Sequence, residues 1–223
     1  MSLILNIDTA TENAIISIAD DGIVLQSLKN NIQKDHASFL HIAIKQLLSS
    51  CRIQLKNIDA IAVVNGPGSY TGIRIGMASA KGLCFALSKP LITIDTLTVM
   101  ADAVSESNIN KYMLCPLLDA RRMEVFFALY DYALNIIIPP RAAELHHDFL
   151  KEFLNPGEIL FFGNAATKWQ QICRHPNAYF ENLSITASSL SKLAHRNFII
   201  NKFDNLSYSD PLYLKEFYHP PKK

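Results

Sequence analysis

The first half of the chain alternates short apolar runs with stretches that carry apolar residues at helical spacing. The short runs predict strands, and they lie at 3–7, 14–19, 23–28, 58–64 and 91–94. Apolar residues recur every three or four positions over 37–51, 71–87 and about 96–105, which predicts helices. The first half is therefore predicted to begin with three strands and to continue with alternating helices and strands.

The second half repeats this order. Its predicted strands lie at 112–118, 124–130, 134–138 and 158–162. Its predicted helices lie at 142–154, 165–173 and 187–200. Proline cannot donate a backbone hydrogen bond, so we expect Pro139-Pro140 to end the strand at 134–138.

An offset of 111 residues relates the two halves. Asp8 ends the first predicted strand of one half, and Asp119 ends the first predicted strand of the other. The same offset places Ile15 to Ile18 on Phe126 to Leu129, so the second strands also align. The sequence therefore predicts two tandem copies of one α/β unit.

Two such copies, each with a mixed sheet flanked by helices, are the architecture of the actin, Hsp70 and sugar-kinase superfamily, whose domains are ribonuclease H-like. On this interpretation residues 1–105 form an actin-like domain of ATPase type, and residues 106–223 form a degenerate repeat of it. The alternative is a pair of unrelated α/β domains that share one order by chance. Fold order alone does not fix function.

A nucleotide between the halves would require hairpins that can approach phosphates. In the superfamily the hairpin after the first strand of each half closes over phosphates, and glycine there lets backbone N–H groups come close. Here the hairpins at 8–12 and 119–123 contain no glycine, although Arg121 and Arg122 could attract an anion. We therefore predict that the chain alone neither binds nor hydrolyses ATP and that it uses no cofactor.

The glycines that follow the strand at 58–64 predict a turn. A glycine turn before a helix is compatible with an anion site. A P-loop, however, requires a lysine and a hydroxyl after its last glycine, and this chain has Ile73-Arg74 there. The dinucleotide fingerprint fails too, because Thr71 stands where the third glycine belongs. We predict a structural turn, with Ser69 or Thr71 capping the helix, made of Gly66, Pro67, Gly68, Ser69 and Thr71.

The helices at 37–51 and 71–87 carry more apolar surface than one core requires, and Phe39 and Ile42 lie outside the main apolar stripe of the first. Small residues form a stripe on the second helix that would admit a neighbouring backbone. Glycine inside a helix costs roughly 1 kcal/mol relative to alanine, so an offsetting contact is required. We predict partner docking through Phe39, Leu40, Ala43, Leu47, Gly72, Gly76, Ser79 and Ala80. The alternative is that the second domain buries both helices.

Composition and charge exclude several classes of protein. With 49% hydrophobic and 18% charged residues among 223, the chain can bury a core. A net charge of +1 does not favour a stand-alone nucleic-acid binder. The four cysteines are far apart, and no apolar run is long enough for a signal peptide or a membrane span. We expect buried free thiols and a cytoplasmic protein.

Three segments of the chain resemble the TsaB family, also called YeaZ. They are Ile7-Asp8-Thr9-Ala10, the segment from Asn65 to Gly76 and the segment from Asp119 to Val125. Near the C-terminus, Pro211-Leu212-Tyr213-Leu214-Lys215 is similar to the family's closing Pro-x-Tyr-Leu-Arg, with lysine in place of arginine. The resemblance covers almost the whole chain, and its most specific part is the Asn65 to Gly76 segment.

The resemblance implies a non-catalytic subunit of the bacterial machinery that makes threonylcarbamoyladenosine beside the anticodon of tRNAs reading codons that begin with A. In that machinery a TsaC-type enzyme makes threonylcarbamoyl-adenylate, and TsaD transfers the threonylcarbamoyl group. The implied partners are a TsaD-type protein, in a heterodimer, and a TsaE-type ATPase, with a homodimer when the chain is alone. The resemblance also implies that the chain contacts tRNA only indirectly and does not bind a membrane. It implies no proteolytic activity, despite the family's glycoprotease-like label.

The histidines do not match the metal motif of TsaD-type proteins, which is His-x-x-x-His on the first helix. His36 and His41 are five residues apart and project from different helix faces, and His146-His147 are adjacent. We interpret His36 and His41 as solvated or interface residues and predict no metal site and no catalytic residue. Two enzymatic alternatives stay open: a small-molecule kinase or ATPase that uses Asp8 or Asp119, and a metallopeptidase.

Overall fold

The computed structural model describes residues 2–32, 35–182 and 185–215. In the first half of this described part, one sheet contains β1 (Leu3–Asp8), β2 (Ala14–Asp20), β3 (Ile23–Asn30), β4 (Ala60–Val64) and β5 (Leu91–Ile94). The strand order is β3-β2-β1-β4-β5, and β1 pairs antiparallel with β2 and parallel with β4. All five residues of β4 are apolar and buried, as expected of a parallel strand covered on both faces.

The helices of the first half are α1 (His36–Cys51), α2 (Tyr70–Leu87) and α3 (Thr96–Ser105), and a short 3-10 turn lies at Leu55–Asn57. α1 and α2 pack on one face of the first sheet, where Leu40, Leu47 and Met77 form a buried cluster with Ile7 and Ile18. Their apolar positions recur at helical spacing, so each helix turns one stripe toward the sheet. The elements predicted for this half are confirmed, with small shifts at their ends.

The second sheet repeats the first. Among the described residues it contains β6 (Met113–Asp119), β7 (Glu124–Tyr130), β8 (Ile136–Glu144), β9 (Ile159–Phe162) and β10 (Ala178–Glu181). The helices of this half are α4 (Lys151–Leu154), α5 (Ala166–Ile172) and α6 (Ala187–Ile199). The strand order is β8-β7-β6-β9-β10, with β6 antiparallel to β7 and parallel to β9. Both sheets thus share one order and one set of strand directions, which confirms the predicted tandem duplication.

The two halves exchange helices. α3, which precedes the predicted boundary after residue 105, packs on the second sheet, where Leu97 and Met100 are buried with Phe162. α6 covers the first sheet, where Leu190 and Ala194 are buried in one cluster with strand residues of β1 and β5. Arg196 of α6 forms an ion pair with Asp102 of α3, and Lys192 of α6 pairs with Glu106, the residue after α3. The exchange fixes the halves against each other through apolar contacts on both sheets.

The prediction that Pro139-Pro140 ends the third strand of the second half is wrong. β8 continues through both prolines to Glu144. β8 is an edge strand, and its register against β7 shifts between Phe127 and Leu129, opposite the prolines. At such an irregularity on an edge, a missing backbone donor breaks no ladder hydrogen bond.

The prediction of a helix over 142–154 is also wrong. Ala143 pairs with Val125 at the end of β8, and only Lys151–Leu154 is helical. Alanine, glutamate and leucine favour helices, but strand pairing with β7 overrides this weak preference. The short edge strand β10 was not predicted from the sequence.

Candidate functional site

The glycine turn between β4 and α2 is held by hydrogen bonds from α3. The Thr96 backbone N–H donates to the Gly66 carbonyl (2.8 Å), and the Thr96 hydroxyl donates to the Pro67 carbonyl (2.6 Å). The Gly66–Pro67 peptide bond is cis. The Ser69 hydroxyl accepts a hydrogen bond from the Gly72 N–H (3.3 Å) and so caps α2, whereas Thr71 lies exposed in the first turn. The turn also contacts the first hairpin, because the Ser69 N–H donates to the Ala10 carbonyl.

The small residues of α2 serve this close approach. A Cβ atom at Gly72 would collide with the Thr9 carbonyl oxygen, and one at Gly76 would collide with the Thr9 hydroxyl oxygen. The Thr9 hydroxyl donates to the Gly72 carbonyl (2.7 Å). We expected a partner's backbone at this stripe, but the backbone that lies there is the β1–β2 hairpin of the same chain.

Most of the eight predicted docking residues lie inside the chain. Six are buried, namely Leu40, Ala43, Leu47, Gly72, Gly76 and Ala80, while Phe39 and Ser79 are partly exposed. The buried six face the first sheet and its hairpin because α1 and α2 form one side of that domain's core. The surface that α1 and α2 offer to solvent therefore consists of their outward residues.

The exposed apolar and small residues of α1 and α2 include five that are here called the outer helical face: Ile42, Ala78, Gly82, Phe85 and Ala86. Polar side chains such as Lys45 and Gln46 are exposed on α1 as well. The two helices meet where the Ser79 hydroxyl lies 3.3 Å from His41 Nε2. Ile42 is 58% exposed and Phe85 is 81% exposed. Ile42 stands out in the sequence as surplus apolar surface. Phe85 was not predicted, although it lies seven residues after Ala78 and so on the same face of α2.

The cleft between the halves is small and of mixed polarity. Its volume is about 150 Å³, whereas ligand pockets usually measure about 300–1,000 Å³. It is lined by Thr11, Glu12, Asn13 and Lys29 of the first half together with Gly163 and Asn164 of the second. The Ala10 N–H, which could face an anion, donates to Asp8 Oδ1 (3.0 Å). The Ala10 carbonyl accepts from the Ser69 N–H (2.6 Å). The polar backbone groups at this point of the first hairpin are therefore already used.

Asp8 is a buried carboxyl group at the end of β1. Burial raises the pKa of Asp8 from 3.8 to about 6, and the hydrogen bond from Ala10 opposes this rise only in part. The folded chain thus binds a proton at Asp8 more tightly than the unfolded chain does. The stability that Asp8 contributes is fully present below pH 3.8 and is lost as the pH rises through about 6.

We expect Asp8→Asn to stabilise the protein at neutral pH. Asparagine is uncharged at every pH and keeps an oxygen that can accept from Ala10. The pKa difference corresponds to roughly 3 kcal/mol of unfolding free energy at pH 7.5, and the gain should approach this value as an upper limit. Urea unfolding of both proteins at pH 4 and pH 7.5 measures the effect. A variant that is less stable than the parent at pH 7.5 would contradict this explanation.

Asp119, the equivalent residue of the second half, has a different environment. It is exposed, and its Oδ1 accepts hydrogen bonds from Lys168 Nζ (2.5 Å) and the Arg121 N–H (2.7 Å). Partial desolvation alone would raise the pKa of Asp119, but the bonds from Lys168 and Arg121 outweigh it and lower the pKa. The two aspartates are therefore matched in topology but not in chemistry.

The two histidines of α1 differ in exposure. His36 is buried, so its interpretation as a solvated or interface residue is wrong, whereas His41 is exposed. Burial lowers the pKa of His36, and its Nε2 lies 3.3 Å from the Glu12 carbonyl, which can only accept. Among the described residues no group of three histidine, cysteine, aspartate or glutamate side chains could hold a metal ion.

Across the described residues, no helix combines the length and the apolar character that a membrane span requires.

Comparison with known proteins identifies the family. A family model described as "TsaD: tRNA N6-adenosine threonylcarbamoyltransferase" matches residues 24–201. The tRNA threonylcarbamoyladenosine biosynthesis protein TsaB of Bacillus subtilis (strain 168) is 30% identical over 174 residues, which cover 76% of this chain and 74% of the relative. This chain belongs to the TsaB family.

Solved structures extend the TsaB-family match to the fold. An uncharacterised protein from Pseudomonas aeruginosa, described as similar to peptidase YEAZ, has a TM-score of 0.84 at 24% identity and covers 96% of this chain and 100% of its own. The activator of the 2-hydroxyisocaproyl-CoA dehydratase from Clostridium difficile, solved with ADPNP, has a TM-score of 0.50 at 9% identity, with 90% and 95% covered. Together with the duplicated topology, these likenesses confirm the actin, Hsp70 and sugar-kinase-like fold.

The C-terminal segment that resembles the TsaB family's closing motif joins the two halves. The Leu212 N–H donates to the Asn65 carbonyl (2.8 Å) beside the glycine turn. Three residues after Leu212, Lys215 Nζ donates to the Ala120 carbonyl (3.2 Å) and to Glu124 Oε2 (2.5 Å) of the second half. The family motif thus ties the glycine turn to the second hairpin.

Proposed function

We propose that this chain is a non-catalytic subunit of threonylcarbamoyladenosine biosynthesis and binds a TsaD-type protein through the outer helical face. The observation that carries the proposal is the exposure of Ile42 and Phe85 on helices whose opposite sides already fill the core. Exposed apolar surface of this kind is typical of protein–protein contacts. The direct test is whether the chain and the TsaD-type protein of its own organism co-elute in gel filtration.

The outer helical face can serve different partners in turn. Its glycine and alanine positions on α2 leave the helix backbone approachable, and Phe85 supplies an aromatic anchor of the kind that dominates interface energies. A second copy of the chain would bind the same face when the TsaD-type protein is absent. A TsaE-type ATPase would then join the heterodimer, in the cytoplasm where tRNA is modified.

A non-catalytic role agrees with the state of the cleft. The first hairpin is occupied by α2 through Thr9 and Ala10, and neither hairpin has the glycine that phosphate approach favours. Asp8 is buried under this contact, and the Asp119 carboxylate is engaged by Lys168. Both aspartates are therefore already hydrogen-bonded within the chain.

The rival function, a small-molecule kinase or ATPase, predicts nucleotide binding by the chain alone. We expect calorimetric titration of the isolated chain with MgATP to give no micromolar binding, and we expect no ATP hydrolysis. The reason is the small cleft and the hairpin filled by α2. Micromolar binding together with turnover would favour the enzyme instead.

A further inference from the structure

A surface strip of tyrosines and cations runs from α2 across the C-terminal segment to the second hairpin. Its exposed aromatic residues are Tyr70, Tyr208 and Tyr213. Its cations are Arg74, Lys81, Arg121, Arg122, Lys168 and Lys215. The described residues of this strip include three carboxylates, of Asp119, Glu124 and Asp210, so its net charge is +3, whereas the whole chain carries +1.

The parts of the strip are in contact with one another. The Tyr70 and Tyr213 ring centroids are 5.2 Å apart, and the Arg74 guanidinium lies 5.1 Å from the Tyr70 centroid. Lys81 Nζ donates to the Ser209 carbonyl (3.0 Å). Lys215 carries the strip onward to the Ala120 carbonyl of the second hairpin. The strip is therefore one continuous surface that crosses both halves.

The second hairpin presents two arginines at an unfavourable backbone position. Arg121 and Arg122 have φ values of 71° and 52°, in the left-handed region that asparagine and glycine prefer in tight hairpin turns. Both side chains are exposed, and Lys168 Nζ is fixed beside them on the Arg122 carbonyl (2.7 Å). Residues that keep a strained backbone in this way are found at functional sites.

We propose that this strip binds the phosphate backbone and unpaired bases of the tRNA, so that the chain contacts RNA directly. Guanidinium and ammonium groups match phosphates, and Tyr208, which is 83% exposed, offers a stacking surface to unpaired bases. α2 carries part of the strip and part of the outer helical face, so a tRNA held by a docked TsaD-type protein would lie next to it. The identity of the RNA rests on the proposed function. An acidic protein surface is the rival ligand.

The test compares two variants that each remove two cations. The hairpin variant carries Arg121→Asn and Arg122→Gly. Asparagine and glycine are the residues that such a turn prefers, so the hairpin keeps its shape. The matched control is Arg52→Gly with Lys56→Asn at the far end of α1, where Arg52 also has a positive φ (56°). The probe is a fluorescent, unmodified tRNA that reads an A-starting codon. Its affinity for the complex with the TsaD-type protein is measured by anisotropy over a range of salt concentrations.

We expect the hairpin variant to weaken tRNA binding about tenfold and to lower the slope of log affinity against log salt by between about 1 and 2. We expect the control to change the affinity less than about twofold. The proposal is overturned if the hairpin variant binds the tRNA as tightly as the parent chain does. It is also overturned if the hairpin variant still binds RNA but no longer binds the TsaD-type protein. Gel filtration without RNA reports complex formation separately, so it tests the proposed function. If no complex forms, the hairpin variant and the control variant of the isolated chain are compared at low salt with a single-stranded RNA. Equal RNA binding by these two variants overturns the proposal that the strip binds RNA.

Discussion

Replacing Gly76 by valine is expected to destabilise the protein severely. The first added carbon would collide with the Thr9 hydroxyl oxygen, and the branches would press on Val63 and Ile7, whose methyl carbons lie 3.4 and 3.5 Å from that position. The strand residues cannot move without breaking the first sheet, and the Thr9 bond to α2 would be lost as well. We expect a loss of about 4 kcal/mol, which is a large part of the stability of an ordinary domain.

Gly82→Ala on the same helix is the matched control. Among the described residues, nothing lies within 4 Å of the position that a Cβ would take at Gly82. Alanine there should raise the unfolding free energy by about 0.5–1 kcal/mol, because glycine is the poorer helix former. Urea unfolding followed by circular dichroism measures both variants. Equal effects of the two substitutions would show that α2 does not pack on the first hairpin as described.

Replacing both Ile42 and Phe85 by aspartate is expected to weaken binding of the TsaD-type protein about 1000-fold. Each substitution removes an apolar anchor and places a carboxylate where docking would strip it of water. Both side chains are exposed in the isolated chain, so its folding should be unaffected. The measurement is calorimetric titration of the variant into the TsaD-type protein, with the circular dichroism spectrum as the check on folding.

The control for this double variant lies on the other half of the molecule. Ile109 and Ile136 are 88% and 58% exposed, so Ile109→Asp with Ile136→Asp makes the same chemical change away from α1 and α2. We expect the control to bind as the parent chain does. Equal weakening by both double variants, or full affinity of the Ile42 and Phe85 variant, would exclude the outer helical face as the docking site.

The architecture could be predicted from the sequence because each half shows the same order of locally recognisable strands and helices. Asp8 and Asp119 end matching central strands, and the apolar periodicity of α1 and α2 marks buried helices. The errors arose where tertiary contacts decide between local alternatives. Pro139 is tolerated because β8 lies at an edge and changes register there, and Ala143 is drawn into a strand by its pairing with Val125.

The site was harder to predict than the fold. A stripe of small residues shows that some backbone comes close, but it does not identify that backbone, and here it belongs to Thr9. A Gly76→Arg exchange, which the sequence alone would suggest as an interface test, would therefore disrupt the core instead of the interface. The exposed position of Phe85 follows from how α2 is rotated on the sheet, which hydrophobic spacing alone does not reveal.

The central claim is that this chain acts as a binding subunit, and a titration of the unmodified chain into the TsaD-type protein of its own organism tests it most directly. We expect a saturable 1:1 complex with a Kd below about 1 µM, which corresponds to a binding free energy of about 8 kcal/mol. Absence of a complex at concentrations near 50 µM, roughly fifty times that limit, would contradict the account.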